Sequence, residues 1–312
     1  MAIYHTVGTL ELAAEQVSPR PRGGTLRLIG DYWALTKPEV NFLILVTTLA
    51  GFYLASQPGP DGLRILPIIS TLLGTLLVAS GAGTLNQFVE RSFDAQMRRT
   101  ARRPLASGRI ESSRARWFGI SLSLAGIVYL ALAVNVLSSL LALATLLTYL
   151  FLYTPLKRKT PLCTLIGAFP GAVPPLIGWA AARGRLDSEA WVLYLVVFLW
   201  QFPHFMAIAW MYREDYARAG YLVLPLGDQR NRFVIWQSLA VSLALIPVTL
   251  IPVITRESGF LYSVGAFILG SIFSYYSARF AFRRSSLAAR QLLVASIVHL
   301  PAVFVLLMLK KK

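Results

Sequence analysis

The sequence predicts an all-α, polytopic membrane protein with nine transmembrane helices. Three observations support this prediction. Only 14% of the 312 residues are charged and the mean hydropathy is +0.60, whereas soluble domains carry about 25% charged residues. Apolar stretches long enough to cross a bilayer recur nine times along the chain. Basic residues are concentrated in alternate loops between these stretches, as in membrane proteins of fixed orientation.

The nine apolar stretches differ in what they predict. A single residue, Asn135, separates the third from the fourth, which predicts a tight helical hairpin. The fifth is rich in Gly and Pro, so its freed backbone groups need neighbouring helices or a cavity. It either lines a site or packs as a kinked helix. The stretches cover residues 40–56, 65–86, 117–134, 136–155, 161–182, 190–212, 233–254, 259–278 and 291–309.

The basic residues predict the orientation. With the N-terminus in the cytoplasm, most of the 30 lysines and arginines lie in cytoplasmic loops, in agreement with the positive-inside rule. An eight-span alternative would bring the C-terminal lysines inside, but it drops a good apolar segment. The net charge of +16 is therefore assigned to topology, and we expect no nucleic-acid partner.

The N-terminal residues indicate the membrane and the domain organisation. Residues 1–30 lack the apolar core of a signal peptide, and Glu11 and Glu15 are unusual in a mitochondrial transit peptide. We therefore expect a multi-pass protein of the bacterial inner membrane. Residues 1–30 form a flexible cytoplasmic tail in this interpretation, and residues 31–312 form the membrane domain.

The first candidate site lies where the second apolar stretch ends. Asn86, Glu90 and Asp94 are spaced at i, i+4 and i+8, which places them on one face of a helix. Carboxylate and amide oxygens are the ligands that Mg²⁺ prefers, and Mg²⁺ commonly completes its shell with water and substrate phosphate. A solvated helix end is the plainer alternative. Polar groups at membrane depth are costly and usually functional, so we expect a metal site that holds a phosphorylated substrate.

A second acidic cluster, Glu214 and Asp215, ends the sixth stretch on the same side of the membrane. Two such clusters could hold metal ions on opposite sides of one diphosphate and stabilise its charge as it leaves. We predict Asn86, Glu90, Asp94 and Asp215 as catalytic residues, and these four with Glu214 as metal ligands. The basic residues predicted to bind diphosphate are Lys37, Arg98, Arg102, Arg103, Lys157, Arg213 and Arg218.

Histidines supply the remaining candidate chemistry, because the only cysteine, Cys163, can form neither an intrachain disulfide nor a cysteine metal cluster. His204 lies on the same predicted helix as the second acidic cluster. It could ligate iron or move a proton, whereas His299 is in the last stretch beside Pro301. A packed, hydrogen-bonded histidine is the alternative for both.

Four segments resemble the intramembrane aromatic prenyltransferases and, within them, the protohaem IX farnesyltransferases (haem O synthases). The resemblance covers about residues 30–305, with a weaker fifth segment, LTKP, at residues 35–38. The four segments are NQFVERSFDAQMRRTARRPLASGRI at residues 86–110, YTPLK at 153–157, GAFPGAVPPLIGW at 167–179 and WQFPHFMAIAWMYREDYARAGYLVLP at 200–225.

The resemblance implies a nine-helix bundle around a central cavity capped by cytoplasmic loops. It implies Mg²⁺-dependent transfer of a farnesyl group from farnesyl diphosphate to a vinyl group of haem B, with addition of water. His204 is then the candidate haem ligand, and a haem A synthase or terminal oxidase is an expected partner. Glu90 stands where many members have Asp, and Tyr212 occupies the first acidic position of the second cluster, which leaves one or two metal ions open.

Two other functions remain as alternatives. A prenyltransferase for another aromatic acceptor, such as a quinone precursor, would use the same diphosphate site, and only YTPLK and QFPHF argue against it. A small-molecule transporter would also carry intramembrane polar residues. However, the acidic residues here cluster on one side of the membrane beside arginines.

Overall fold

The computed structural model describes residues 24–56, 65–224, 228–254 and 259–309. Most of the predicted N-terminal tail, residues 1–23, therefore lies outside the described residues. The part of the chain that is described contains helices and no strands, which confirms the predicted fold class. Residues 25–30, the end of the predicted tail, belong to the first helix.

The described residues contain thirteen α-helices and one π-helical turn. The helices are α1 (Thr25–Leu35), α2 (Pro38–Ala55), α3 (Ile65–Asp94), α4 (Ser112–Ala133), α5 (Val136–Leu147), α6 (Thr154–Leu156), α7 (Cys163–Gly171), α8 (Pro174–Arg183), α9 (Ser188–Met211), α10 (Arg213–Arg218), α11 (Asp228–Ile254), α12 (Phe260–Arg283) and α13 (Ser286–Leu309). The π-helical turn, Thr148–Tyr153, joins α5 to α6.

Nine of these segments, counted over the described ranges alone, are long and apolar enough to cross a membrane. The fourth runs from α5 through the π-helical turn to α6, and the fifth combines α7 with α8. The nine predicted spans are therefore confirmed. The second span, α3, has 30 residues, about 45 Å of helix. A hydrocarbon core is about 30 Å thick, so α3 has length to carry its polar C-terminal turns beyond the core.

The predicted hairpin between the third and fourth spans is present, with Asn135 at its turn. The Asn135 side chain accepts a hydrogen bond of 2.8 Å from the backbone N–H of Ser138 and caps α5. Its amide donates to the carbonyl of Ala180 at 2.8 Å. One side chain therefore caps a helix and ties the hairpin to α8.

The Gly- and Pro-rich fifth span packs closely against the first. A Cβ atom at Gly178 would lie 1.9 Å from the carbonyl oxygen of Thr48, and one at Gly51 would lie 2.1 Å from that of Pro175. Glycine at both positions lets the α2 and α8 backbones touch. Where the span breaks between α7 and α8, Gln201 of α9 donates to the carbonyl of Ala168 at 2.9 Å. The break is thus supported by a neighbouring helix.

Substitution of Gly178 by Ala should separate α2 from α8 and destabilise the bundle by about 2 kcal/mol, as expected for overpacking. The measurement is the thermal unfolding midpoint in detergent, with Gly30→Ala as the control because a Cβ atom there meets nothing within 4 Å. An unchanged midpoint in Gly178→Ala would show that the two helices are not in backbone contact.

Candidate active site

The end of α3 presents a buried polar row formed by Asn86, Glu90 and Asp94. These residues are 1%, 5% and 1% exposed, so the row is shielded from solvent. The predicted single helical face is therefore present, and it faces protein. A buried carboxylate requires a charged or hydrogen-bonding partner, and each member of the row has one.

Each member of the polar row contacts a different basic residue from another segment. The ammonium of Lys37 donates to Oδ1 of Asn86 at 2.6 Å. Glu90 pairs with Lys157 at 2.8 Å between Oε1 and Nζ. Asp94 Oδ2 lies 2.8 Å from Nη1 of Arg103. Three of the basic residues predicted to bind diphosphate therefore line up beside three predicted metal ligands.

Lys37 reaches the row from a strained turn between α1 and α2. Its φ and ψ angles are 54° and 62°, in the left-handed region, which costs a residue with a side chain roughly 1–2 kcal/mol. Hydrogen bonds hold the turn: Gln87 donates to the carbonyl of Leu35 at 2.9 Å, and Asn41 donates to that of Thr36 at 2.9 Å. Backbone strain that is held in this way is concentrated at functional sites in proteins.

Lys157 reaches the row from the other side, just after the π-helical turn. π-Helical turns commonly occur at functional sites. Here the turn leaves Thr154 Oγ1 to donate to the carbonyl of Tyr149 at 2.8 Å and to accept from Asn86 Nδ2 at 3.2 Å. The Lys157 ammonium also lies 4.6 Å from the ring centroid of Tyr153. The turn therefore fixes both a cation and an aromatic face beside α3.

The charges of the two lysines respond differently to this environment. Burial, reinforced by the positive charge of Arg103, lowers the pKa of Lys37 to about 7. Burial alone would also lower the pKa of Lys157, but the adjacent carboxylate of Glu90 raises it well above the usual value. The charged form of Lys157 is therefore stabilised, whereas burial disfavours the charged form of Lys37.

The second acidic cluster separates into a buried and an exposed carboxylate. Asp215 is buried and accepts a hydrogen bond of 3.1 Å from the backbone N–H of Arg99. It also pairs with Arg218 at 3.3 Å. The Glu214 side chain is 79% exposed, and its distance to Arg213 is 3.9 Å. Asp215 therefore joins α10 to the loop that follows the polar row.

Other predicted diphosphate ligands are less closely engaged. Arg98, Arg102, Arg213 and Arg218 are exposed. Arg218 donates to the carbonyl of Gln96 at 3.4 Å, so it reinforces the contact between α10 and the loop. Of the residues predicted to bind diphosphate, only Lys37, Lys157 and Arg103 contact the polar row within the described part of the chain.

His204 lies on α9 and is oriented by α13. Ser296 Oγ donates to the carbonyl of Leu293 at 2.6 Å, so it can only accept at its contact of 2.8 Å with His204 Nδ1. Nδ1 therefore carries the proton and Nε2 has the free lone pair. The ring also stacks on Trp200, with centroids 4.8 Å apart. The hydrogen bond to Ser296 fixes the tautomer and orientation of the imidazole, as such hydrogen bonds do for histidines that bind metals.

The polar row has the donor chemistry of a magnesium site. Its oxygens are the hard ligands that Mg²⁺ takes. Within the described ranges no group of three His, Cys, Asp or Glu side chains comes together, so a metal ion at the row would need Asn86 and substrate oxygens besides the two carboxylates. The residues fit one such ion.

Comparison with known proteins identifies the family. The UbiA prenyltransferase family model matches residues 44–301. The chain belongs to the UbiA prenyltransferase family. Among its curated relatives, those named protoheme IX farnesyltransferase include proteins of Solibacter usitatus, Koribacter versatilis and Salinibacter ruber. They are 47%, 41% and 41% identical, over 90%, 93% and 90% of this chain and 98%, 96% and 98% of theirs.

Solved structures agree with this UbiA assignment at the level of the fold. A digeranylgeranylglyceryl phosphate synthase superposes with a TM-score of 0.74 at 17% identity, covering 91% of this chain and 98% of its own. A UbiA homologue from Archaeoglobus fulgidus, bound to GPP and Mg²⁺, superposes with a TM-score of 0.62 at 15% identity, covering 89% and 99%. The predicted membership in the protohaem IX farnesyltransferase branch is confirmed by the curated relatives.

Sequence reasoning on this UbiA-family chain missed several residues at the site. Tyr153 and Thr154 lie within the YTPLK motif, of which only the lysine is predicted as a site residue. Arg99 contributes its backbone N–H to Asp215 and its guanidinium lies 4.7 Å from the ring of Tyr212. Tyr221 is buried, and burial together with the charge of Glu90 raises its pKa. Tyr221 lies six residues after the acidic cluster, within the segment 200–225 that resembles the family, but its spacing alone does not predict a site role.

Replacement of Lys157 by Met should leave Glu90 buried without its partner and lower the free energy of unfolding by about 3 kcal/mol. Thermal unfolding in detergent measures the loss, and Lys159→Met is the matched control because Lys159 is exposed. The double variant Lys157→Met/Glu90→Gln should recover most of the stability. Equal unfolding midpoints for Lys157→Met and Lys159→Met would contradict the buried pair of Lys157 and Glu90.

Proposed function

We propose that this chain transfers the farnesyl group of farnesyl diphosphate to a vinyl group of protohaem IX, with addition of water, to give haem O and diphosphate. The observation that carries the proposal is the polar row, in which three buried oxygen-bearing side chains face three basic side chains. The names of the curated relatives supply the acceptor and the prenyl donor.

In this proposal the diphosphate binds at the polar row. Phosphate oxygens replace Glu90 and Asp94 as partners of Lys157 and Arg103, which suits the bidentate geometry of arginine. The released carboxylates, with Asn86, would then hold Mg²⁺. The ion would supply charge stabilisation for the departing diphosphate. Asp215 holds α10 against the same loop as a positioning residue, and the exposed arginines 98, 102, 213 and 218 attract the anion.

The chemistry at the prenyl group needs an apolar, aromatic environment. As the carbon–oxygen bond breaks, its electron pair leaves with the diphosphate and an allylic cation develops on the farnesyl group. The stacked rings of Tyr149 and Tyr153, 5.4 Å apart, offer π faces to that cation. The haem vinyl group supplies the electron pair for the new carbon–carbon bond. Water captures the resulting cation and releases a proton.

His204 is the proposed haem ligand. Its Nε2 lone pair is available because Nδ1 donates to Ser296, and imidazole is a common axial ligand of haem iron. His204 would then fix the orientation of the acceptor. Phe205, 5.6 Å away by ring centroids, gives the imidazole an aromatic neighbour.

We further propose that the polar row faces the cytoplasm of a bacterium and that the nine helices cross its inner membrane. The excess of basic residues on that side supports this orientation. A haem A synthase or a terminal oxidase is the proposed recipient of the product.

The reaction itself is the first test. Purified protein in detergent with haem, farnesyl diphosphate and Mg²⁺ should form haem O, detected by mass. Asp94→Ala should lower kcat at least about 100-fold, because metal and diphosphate lose several kcal/mol of stabilisation. Glu111→Ala, on an exposed pair with Arg114, is the control. Normal haem O formation by Asp94→Ala would refute the assignment of the row, and exclusive farnesylation of 4-hydroxybenzoate would refute the acceptor.

Substitution of His204 by Ala should alter the absorption spectrum of bound ferric haem and abolish transfer. Ser296→Ala should keep His204 as the haem ligand but weaken haem binding about tenfold, because the hydrogen bond that orients the imidazole is lost. Optical titration of both variants measures this. A His204→Ala protein whose haem spectrum and turnover match those of the unsubstituted protein would rule out the axial role.

A further inference from the structure

A cavity of about 450 Å³ lies in a groove between α12 and α13, away from the polar row. This volume is within the range of small-molecule sites. Its walls are mostly apolar, and several of its side chains, including Ile272, Leu287, Val294 and Val298, are about half exposed or more. Exposed apolar side chains on spanning helices face the bilayer, so the groove opens towards lipid.

His299 belongs to this groove and is only 2% exposed. Its Nδ1 lies 3.2 Å from the carbonyl oxygen of Leu269. A carbonyl can only accept, so Nδ1 carries the proton and Nε2 has the lone pair. Nε2 is buried and has no hydrogen-bond partner within the described part of the chain. Stacking on Phe273, with ring centroids 4.7 Å apart, fixes the plane of the imidazole.

Two further polar groups stand nearer the start of α13. Gln291 lines the groove, and its buried Oε1 likewise lacks a partner among the described residues. Arg290 is exposed and lines the same groove. These residues precede His299 by eight and nine positions, about 12–14 Å along the helix axis. A ligand that contacts both ends of the groove must therefore carry a group that binds an imidazole lone pair and, at the other end, an anionic group for Arg290.

We infer that this groove is a second binding site for an iron porphyrin. The iron binds Nε2 of His299, whose tautomer is already fixed by Leu269. The propionates accept hydrogen bonds from Arg290 and from the amide nitrogen of Gln291, whose side chain turns its NH₂ group into the groove. The apolar walls contact the macrocycle. The inference rests on the proposed function only in taking protohaem as a compound that this chain handles.

An acyl phospholipid fits the groove less completely. Its phosphate could pair with Arg290, but it would leave the buried lone pair of His299 without a partner, at the usual cost of a buried unsatisfied group. The porphyrin provides an iron for His299 and a carboxylate for Arg290, which the phospholipid cannot do together. Because Nε2 is buried, porphyrin entry requires side chains of the groove to move.

The groove and the proposed catalytic haem site lie against neighbouring faces of α13. Ser296 faces His204 of α9, whereas His299, three residues on, faces α12. A porphyrin in the groove is therefore within one helix of the acceptor position, on the side open to the bilayer. This is where haem entering from lipid, or product leaving to lipid, would be held.

The test is the haem stoichiometry of the full chain in detergent, measured by optical titration with ferric protohaem. The unsubstituted protein should bind two equivalents, His204→Ala and His299→Ala one each, and the double variant none. His299→Ala should keep prenyl transfer when haem is saturating. Arg290→Gln, at an exposed position, should weaken the groove site about tenfold, and it serves if His299→Ala does not fold.

Two results would overturn the inference. One is a His299→Ala protein that folds and still binds two equivalents of haem. The other is a groove from which phosphatidylglycerol vesicles displace haem, and whose affinity for haem is the same in Arg290→Gln as in the unsubstituted protein. If the unsubstituted protein makes no haem O but loses one bound haem with His299→Ala, the proposed reaction fails and the groove site stands.

Discussion

The structure depends on the pairing of one buried row of oxygen-bearing side chains with cations from three other segments. Glu90 and Asp94 could not stay buried alone, because the desolvation of a carboxylate costs several kcal/mol, and the amide of Asn86 also needs a hydrogen-bond partner. Lys37, Lys157 and Arg103 make their burial possible. The same pairing draws the α1–α2 turn, the π-helical segment and the loop after α3 to one place. The site and this end of the bundle are therefore built by the same contacts.

This pairing also explains why features that cost stability are present. The left-handed backbone at Lys37 and the π-helical turn at Thr148–Tyr153 are each less stable than regular helix. Each delivers a cation to the row. A buried ion pair contributes little net stability compared with apolar packing, so the row is better understood as a binding device. A bound anion can replace the carboxylates as partner of the basic residues, and a metal ion can then pair with the carboxylates, so no charge is left unpaired.

The sequence predicted the helices and their number because apolar length and charge position are local properties. Asn86, Glu90 and Asp94 could be placed on one face from spacing alone. Their partners could not be chosen from spacing, because the segment from Arg91 to Arg116 contains eight arginines and only tertiary contacts select Arg103. Tyr221 and the separation of Asp215 from Glu214 depend on how α10 packs against the loop. The groove at His299 arises from two helices far from every motif.

The most direct test of the row as the diphosphate and metal site is the affinity for a farnesyl thiodiphosphate analogue, measured by calorimetry with Mg²⁺ and with EDTA. The account predicts that Mg²⁺ tightens binding at least about tenfold, or 1.4 kcal/mol, and that Glu90→Gln removes this advantage while the protein stays folded. Equal affinity with and without Mg²⁺, or an undiminished Mg²⁺ effect in Glu90→Gln, would contradict it.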